Sequence, residues 1–215
     1  MNEQVGKAEQ AYELIESMIT FRDLAPGRLV SEAMLMDLTG LGRTPVREAL
    51  QRLASQGMVE INPKRGVLVA DISVESQLQL LEVHRCLAEL TVRLAARRAD
   101  PTEREDMLHQ ADAFEAFTGD DIRAFRTLLK QSQALMAAGA HNTYLAMGMG
   151  PLVVPSVRFW FANLRDAAAE LRAAADLQIA MLKAIHRQDP DAAAKAVQGY
   201  YDYLLESALR ILQDR

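Results

Sequence analysis

The sequence predicts a mainly α-helical protein made of a small N-terminal winged helix-turn-helix domain and a larger C-terminal all-helical bundle. Two observations support this prediction. Between residues 35 and 70, two short helical patterns are followed by two short β-like runs. From Ser73 onward, the chain continues as long amphipathic helical patterns with almost no β signal. We therefore expect a winged helix-turn-helix domain over residues 1–72 and a helical domain over residues 73–215.

Composition and charge limit the classes of protein that the sequence fits. A net charge of -5 argues against a protein that coats nucleic acid indiscriminately, although it permits a DNA binder with clustered basic residues. No apolar run approaches the roughly 20 residues of a membrane span, and residues 1–10 lack the apolar centre of a signal peptide. We therefore expect a cytoplasmic protein without membrane association. Cys86 is the only cysteine, and its helical surroundings predict a buried small residue.

The N-terminal part begins with a helical pattern over residues 8–21, which the turn sequence at residues 25–27 ends. Residues 35–38 have the pattern of a short second helix. The sequence Gly40-Leu41-Gly42 that follows has the composition of a tight turn. A helix, a short glycine-bearing turn and another helix form the helix-turn-helix pattern.

The helix after this turn is the one around which the chain is organised. Its apolar residues recur at spacings of three and four and form one stripe: Val46, Ala49, Leu50 and Leu53. Arg43, Arg47 and Gln51 fall on the opposite face. Thr44 is a suitable N-cap, and Pro45 is a suitable first helical residue because its missing N–H costs nothing there. Arginines at the exposed leading end are typical of a helix that enters the DNA major groove.

Two short β-like runs follow this helix. Gly57 has the position of a C-cap, and residues 58–61 and 67–70 are joined by the turn-like sequence Asn62-Pro63-Lys64-Arg65-Gly66. Between residues 43 and 65 there are five basic residues against two acidic ones, so positive charge is concentrated here. Two strands with a basic tip after a helix-turn-helix predict a wing.

The C-terminal part opens with a long amphipathic helix over residues 74–98, which Ala99-Asp100-Pro101 ends. Five further helices are expected between glycine, proline and polar breaks: residues 102–117, 120–138, 143–164, 166–187 and 191–214. This pattern predicts an all-helical domain.

Several motifs of the N-terminal part resemble the DNA-binding domain of GntR-type bacterial transcription regulators: residues 24–32, 42–50, 57–59 and 65–69. Residues 82–89 and 182–194 are similar to the FCD effector domain of the FadR-like branch of this family. The resemblance covers nearly the whole chain. It implies a regulator whose helical domain binds a small molecule and whose winged helix binds DNA.

The resemblance places the DNA contacts at the start of the recognition helix and in the wing. With the exposed helix face, the expected contact residues are Arg43, Thr44, Pro45, Arg47, Gln51, Lys64, Arg65 and Gly66. An arginine there can hydrogen-bond guanine O6 and N7 together, which is worth roughly 1 to 3 kcal/mol of discrimination. Gly42 departs from the serine that is usual in the family, and Ala33 departs from an arginine found in many members of this branch.

Many FCD domains resemble helical bundles that hold a divalent metal with one Asp and three His. The family pattern places Ile122, Arg126, Gln178 and Tyr200 at those four positions, and none of them is a good metal ligand. We therefore expect a pocket without metal or other cofactor. Metal-dependent effector binding of the usual FCD kind is the alternative.

The expected pocket residues favour a small acidic metabolite, because Arg126 could take the place of the metal and bind a carboxylate directly. Arg85 is a second candidate, at the position where the family often has an effector-contacting arginine. Gln178 and Tyr200 could supply neutral hydrogen bonds, and Trp160 or Phe161 an apolar wall. The alternative for Arg126 is an ion pair with Asp120 or Asp121 at the end of the bundle.

The function expected from these observations is that of a ligand-responsive, DNA-binding transcription regulator, acting as a repressor. Two-fold symmetry is expected because one recognition helix reads only a few base pairs, so a homodimer would bind a pseudo-palindromic operator. The sequence has no glycine-rich phosphate loop, nucleophile elbow or cysteine–histidine pair, and we expect no enzymatic activity. The alternative from another class is a catalytic helical domain with a DNA-binding anchor.

Overall fold

The structure, a computed structural model, describes residues 2–213, with side chains from residue 6 onward. In chain order the described elements are α1 (Asn2–Thr20), β1 (Leu29–Val30), α2 (Glu32–Thr39), α3 (Arg43–Ser55), β2 (Val59–Asn62), β3 (Gly66–Val69), α4 (Val74–Arg98), α5 (Pro101–Ala116), α6 (Ile122–Gly139), α7 (Thr143–Ala162), α8 (Ala167–His186) and α9 (Pro190–Gln213). The predicted mainly α-helical class, with a winged helix-turn-helix followed by a helical domain, is confirmed. The predicted end of the last helix at residue 214 lies outside the described residues.

The chain divides into two compact units. We call residues up to Ser73 together with Pro151–Ala162 the N-terminal unit, and Val74–Gly150 with the residues from Asn163 onward the C-terminal unit. The sequence analysis placed residues 151–162 in the helical domain, whereas in the structure they belong to the N-terminal unit. Helical periodicity did not reveal this, because an apolar helix face does not specify which core it joins.

The N-terminal unit packs three helices against a three-stranded antiparallel sheet with strand order β1-β3-β2. The core contains residues that the apolar stripe of α3 predicted, and these are buried: Val46, Ala49, Leu50 and Leu53. Residues of α1 lie in the same core, including Ala11, Ile15 and Ile19. The wing strands pair from Val59 opposite Val69 to Asn62 opposite Gly66. The buried stripe fixes the orientation of α3, so its polar face points to solvent.

The C-terminal half of α7 completes the N-terminal unit. Val154 packs on its core, and the rings of Phe21 and Phe161 stack with centroids 6.2 Å apart. Arg158 is 4% exposed and donates a hydrogen bond from Nη2 to the carbonyl oxygen of Ala70 at 2.6 Å. Burial lowers the pKa of Arg158, and the nearby Asp71 carboxylate acts in the opposite direction.

Helix α7 is also, within residues 2–213, the one helix long and apolar enough to cross a membrane by length and composition. The sequence analysis did not expect such a segment. A helix in the core of a soluble protein passes the same test. In α7, 39% of this apolar window is buried, and Phe159, Trp160 and Arg158 are among the buried residues, inside the N-terminal unit.

The C-terminal unit is a bundle built from α4, α5, α6, the first part of α7, α8 and α9. Its helix starts carry the capping signals expected for their sequence. Asp100 and Glu103 form a reciprocal capping box at α5, and Asp166 caps α8 through the backbone N–H of Ala169. The interior is mostly apolar, with a few buried polar side chains on α4, α6 and α8, among them Gln77, His84, Ser132 and Gln178. These polar groups are the candidates for ligand recognition in this unit.

Candidate DNA-binding surface and effector site

The recognition helix α3 begins two residues earlier than the sequence predicted. Gly42 is the N-cap, with φ -72° and ψ 171°, and it has no capping side chain. Thr44 is therefore the second helical residue and not the cap, and Pro45 is the third and not the first. Pro45 is tolerated there because the N–H groups of a first helical turn have no partner within the helix. The exposed N–H groups of Arg43 and Thr44 point out of the helix end.

The side chains near the N-terminal end of α3 are exposed or buried according to whether they lie outside or on its apolar stripe. Arg43, Thr44, Arg47 and Gln51 are exposed, whereas Pro45 is buried and faces the core of the N-terminal unit. Pro45 therefore fixes the backbone of the first turn and does not offer its side chain to a ligand. The exposed set combines two cations, a hydroxyl and an amide with the positive end of a helix dipole. Such a surface can bind phosphate and the hydrogen-bonding edges of bases.

Glu32 holds the two arginines of this surface. It is the first residue of α2, after the N-cap Ser31, and both of its carboxylate oxygens lie 2.9 Å from Arg47 Nε. Its Oε2 also lies 4.0 Å from Arg43 Nε. The side chains of Arg47 and Arg43 remain 56% and 68% exposed, so this cluster sits in solvent and its pairs contribute little stability. The sequence analysis did not find this contact because Glu32 and Arg47 are brought together only by the fold.

Arg52, which was counted in the basic cluster, belongs to the internal support of the unit. Its Nη1 lies 2.6 Å from Glu9 Oε2, and its guanidinium carbon lies 3.7 Å from the centroid of the Tyr12 ring. The Tyr12 hydroxyl donates a hydrogen bond to Gln56 at 2.9 Å. These contacts join α1 to the C-terminal end of α3, so Arg52 supports the orientation of the recognition helix.

The wing tip presents two exposed cations, Lys64 and Arg65. Gly66 supports the tip for a steric reason. Its φ is +104°, and a Cβ at this position would lie 2.7 Å from the carbonyl oxygen of Val30. Only glycine lets β1 approach β3 this closely. The predicted contribution of Gly66 to DNA binding is therefore tied to its role in placing the wing.

In the C-terminal unit, Gln178 and Tyr200 lie together, and these are two of the four positions that correspond to metal ligands in the family. Both side chains are buried. Ser132 Oγ donates a hydrogen bond to Gln178 Oε1 at 2.9 Å, and Gln178 also hydrogen-bonds with Tyr200. Burial raises the pKa of the Tyr200 phenol, so the group stays protonated. The result is a neutral polar cluster joining α6, α8 and α9.

The sequence analysis did not assign His84 to this region, although it lies next to it. Its side chain is 4% exposed, and its Nδ1 is buried without a hydrogen-bond partner among the described residues. Its ring meets Tyr201 edge-on at 5.0 Å, and Tyr201 meets Tyr200 at 5.8 Å. Burial lowers the pKa of His84 to about 4, so the ring is neutral at pH 7. The available signal was the spacing of seven that puts Gln77, His84 and Thr91 on the buried face of α4.

Arg126 is half-buried on α6, and its Nε is shielded from solvent. The neighbouring carboxylate of Asp121 serves as the N-cap of the same helix. Asp121 Oδ1 accepts hydrogen bonds from the backbone N–H groups of Arg123 and Ala124, both at 3.0 Å. Arg126 is therefore the cationic candidate of the C-terminal unit that lies partly inside the bundle.

The remaining two candidates do not join this cluster. Arg85 forms an ion pair with Asp202 at 2.8 Å, in which the side chains are 39% and 53% exposed. Trp160 is 2% exposed, but it lies in the N-terminal unit. Gln178 and Tyr200 thus lie together, whereas Arg85 is half-buried in its ion pair with Asp202 and Trp160 belongs to the core of the N-terminal unit.

The side chains at the four family positions do not fit a divalent metal, since they include no carboxylate or imidazole. Within residues 2–213, no group of three or more His, Cys, Asp or Glu side chains could hold a metal ion. Gln178, at one of these four positions, instead accepts a hydrogen bond from Ser132.

Comparison with known proteins agrees with both parts of the fold. Residues 7–69 match the model of bacterial regulatory proteins of the gntR family, and residues 79–202 match the FCD domain. An HTH-type transcriptional regulator of Mycobacterium tuberculosis is 28% identical over 212 residues, covering 86% of this chain and 81% of the relative. The HTH-type transcriptional repressor NanR of Cronobacter sakazakii is 26% identical over 216 residues, covering 89% and 81%. A regulator of Agrobacterium vitis is 31% identical over 111 residues, which make up 52% of this chain and 65% of that relative.

Two solved structures share the fold. Escherichia coli McbR/YncC superposes with a TM-score of 0.74 at 19% identity, covering 97% of both chains. A GntR transcriptional regulator from a Rhodococcus species superposes with a TM-score of 0.71 at 19% identity, covering 98% of this chain and 99% of that one.

A winged helix-turn-helix whose recognition helix exposes two arginines, followed by a helical domain, defines a DNA-binding transcription regulator. The chain belongs to the GntR family of bacterial regulatory proteins and carries an FCD domain.

Proposed function

We propose that this regulator is a cytoplasmic repressor that binds a pseudo-palindromic operator as a homodimer and has no catalytic activity. The observation that carries the DNA-binding part is the exposed end of α3, where Arg43, Thr44 and Arg47 surround the free N–H groups of the first turn. The name of the Cronobacter sakazakii relative includes the word repressor, which supports that sign of regulation. Two copies are required because one recognition helix reads only a few base pairs.

Binding would proceed by exchange of partners at the Glu32 cluster. Phosphate oxygens replace the Glu32 carboxylate as the acceptor for Arg43, while Arg47 turns to a guanine edge in the major groove. The solvent-exposed ion pair costs little to open, since surface pairs contribute about 0 to 1 kcal/mol. Lys64 and Arg65 of the wing contact the backbone and add affinity without reading sequence.

Selection from a random duplex library tests the homodimer and its operator. Purified protein is incubated with the library at a stated salt concentration, and the bound duplexes are sequenced after several rounds. We expect an inverted repeat whose half-sites are centred about one helical turn apart. A consensus without two-fold symmetry would contradict homodimeric operator binding.

We further propose that the helical domain binds a small acidic metabolite and that this binding weakens the hold on the operator. Support comes from Arg126, a cation partly inside the bundle, and from the neutral donors and acceptors of Gln178 and Tyr200. A ligand can shift the equilibrium from operator-bound to free protein only by binding the free protein more tightly than the operator-bound protein. The effector therefore has to contact side chains whose placement differs between the two forms.

A panel of mono- and dicarboxylates, screened by thermal shift and by operator release, tests the effector class. A carboxylate that raises the melting temperature of the wild type should not do so for Arg126→Ala. Operator binding by Arg126→Ala without ligand should be unchanged. A carboxylate response that Arg126→Ala retains would remove Arg126 from the site. A response that appears only when a divalent metal is added would favour effector binding of the usual FCD kind.

A further inference from the structure

One apolar face of α4 is only partly covered, with two of its residues exposed and three half-buried. Its residues recur at alternating spacings of three and four: Leu80, Val83, Leu87, Leu90 and Leu94. Val83 is 53% exposed and Leu90 is 44% exposed. The opposite face of the same helix carries the buried residues of the bundle, such as Leu81, Ala88 and Val92. A heptad pattern on the side away from the core is the pattern of a helix that packs on another helix.

The first part of α7 widens this apolar face, which we call the α4 face. A Cβ on Gly148 would lie 3.5 Å from Leu87 Cδ1, so α7 runs directly beside the stripe. Tyr144 and Met147, on the turn before Gly148, are 84% and 72% exposed. Large apolar side chains this exposed and this close together mark an association surface.

The charges along α4 favour one arrangement of a second copy. Acidic residues occupy the start of the helix, with Glu75 exposed, and the last turn ends in Arg97 and Arg98. An antiparallel pair of α4 helices would place Glu75 of one copy beside Arg97 of the other and would oppose the two helix dipoles favourably. A parallel pair would bring like charges together at both ends.

We propose that the α4 face is the homodimer interface, and that the two α4 helices cross antiparallel about an axis close to Cys86. This inference rests on the proposed homodimer and adds its location. Cys86 is the midpoint of the 25-residue helix, so pairing about it covers about 37 Å of helix on each copy. In this register Val83 of one copy meets Leu90 of the other. Cys86, expected from the sequence to be buried, is exposed.

Sedimentation equilibrium on three double variants tests the location. Val83→Glu with Leu90→Glu should convert the dimer to a monomer. The dimer dissociation constant should rise roughly a hundredfold or more, because both Val83–Leu90 contacts of the pair become contacts between two glutamates. Leu209→Glu with Leu212→Glu is the matched control, since these residues of α9 are 39% and 41% exposed, and it should stay dimeric. Far-UV circular dichroism verifies that each variant is folded.

The third variant tests the register. Val83→Lys with Leu90→Glu should form a dimer again, because an antiparallel pair joins each lysine to a glutamate of the other copy. In a parallel pair the same changes would oppose lysine to lysine and glutamate to glutamate. Failure of this variant to dimerise, together with a monomeric Val83→Glu/Leu90→Glu protein, would contradict the antiparallel register.

Cross-linking of the natural cysteine gives an independent measurement on the unaltered protein. A short bismaleimide should join two chains through Cys86, and Cys86→Ser should abolish the product. A wild type that sediments as a dimer and gives no cross-link, or a Val83→Glu/Leu90→Glu protein that remains dimeric, would overturn the α4 face and leave the homodimer standing. A wild type that is monomeric both free and on its operator would overturn the proposed homodimer itself.

Discussion

The polar groups at the exposed end of α3 differ in charge and burial from those of the polar cluster in the C-terminal unit. At α3, Arg47 and Arg43 stay charged in solvent and share the carboxylate of Glu32. In the bundle, Gln178, Ser132 and His84 are buried and neutral. Solvated charges exchange partners at small cost, whereas buried neutral groups depend on a fixed packing. The difference suits the two proposed roles, a surface that binds and releases DNA and a bundle interior that recognises a small molecule by shape and hydrogen bonds.

The largest effect that we expect from this contrast is a loss of stability in mild acid caused by His84. Its pKa is about 4 in the folded protein, because burial disfavours the charged ring, and 6.5 is the ordinary value. A folded pKa below the unfolded one means that the contribution is complete above pH 6.5 and is lost as the pH falls towards 4. The lost free energy of unfolding is about 3 kcal/mol. Denaturant unfolding between pH 7 and 4 measures it.

His84→Gln is the control for this measurement, because it keeps a polar side chain of similar size and removes the titration. The pH dependence of its unfolding free energy between 7 and 4 should be flatter than that of the wild type. Equal pH dependence in the two proteins would show that His84 is not held neutral by burial.

The next largest effect concerns the wing. Gly66→Ala should lower the stability of the N-terminal unit by about 3 kcal/mol, because a positive φ strains alanine by about 1 to 3 kcal/mol and its Cβ would lie 2.7 Å from Val30 O. Gly57→Ala is the matched control, with φ +67° and no atom within 4 Å of the added Cβ. It should cost only about 1 kcal/mol. Thermal unfolding of both variants distinguishes the steric clash from the backbone strain.

A smaller effect should follow from releasing the recognition arginines. Glu32→Gln removes the carboxylate that holds Arg47, and affinity for random DNA should rise several-fold because a negative charge leaves the binding surface. Glu48→Gln removes the same charge from an exposed position of α3 outside the Glu32–Arg47 pair, so it corrects for net charge. Fluorescence anisotropy with a random duplex measures both. Identical gains for the two variants would mean that the Glu32 pair has no particular role.

The smallest effect that we expect is at the N-cap of α3. Gly42→Ser adds a hydroxyl in open space at an ordinary φ of -72°, where it can accept a hydrogen bond from the backbone N–H of Thr44. Pro45 offers no N–H, so only one capping bond is available. The gain in unfolding free energy should be about 0.3 kcal/mol. A loss of stability would show that the first turn of α3 differs from the geometry described above.

Local patterns predicted the elements and the exposed arginines, because helical spacing alone decides which side of α3 meets the core. They did not predict the start of that helix, where Thr44 and Pro45 had the residue types of a cap and a first turn but Gly42 holds the cap position. The pairing of Glu32 with Arg47 could not be found from spacing, since the two lie on different helices. Cys86 was expected inside the bundle because an apolar helix with two apolar faces does not reveal which face is buried.

The predicted pocket residues differ in where the structure places them, because contacts between residues distant in sequence decide which of them come together. Gln178 and Tyr200 were predicted from a family pattern and lie together. Trp160 was assigned to the pocket by its aromatic character, yet its half of α7 belongs to the N-terminal unit. Within residues 143–162, Pro151 stands where the part that joins the N-terminal unit begins, but a proline does not indicate which core the following residues join.

In the proposed mode of DNA binding, the exposed end of α3 reads DNA sequence while the wing supplies sequence-independent affinity. The most direct test is the ratio of operator affinity to random-duplex affinity, measured at several salt concentrations for Arg47→Ala and Lys64→Ala. We expect Arg47→Ala to lower this ratio by roughly tenfold or more, since a bidentate base contact is worth about 1 to 3 kcal/mol. Lys64→Ala should weaken both affinities alike and reduce the salt dependence by about one ion. Equal weakening of operator and random binding by Arg47→Ala would contradict the base-reading role of α3.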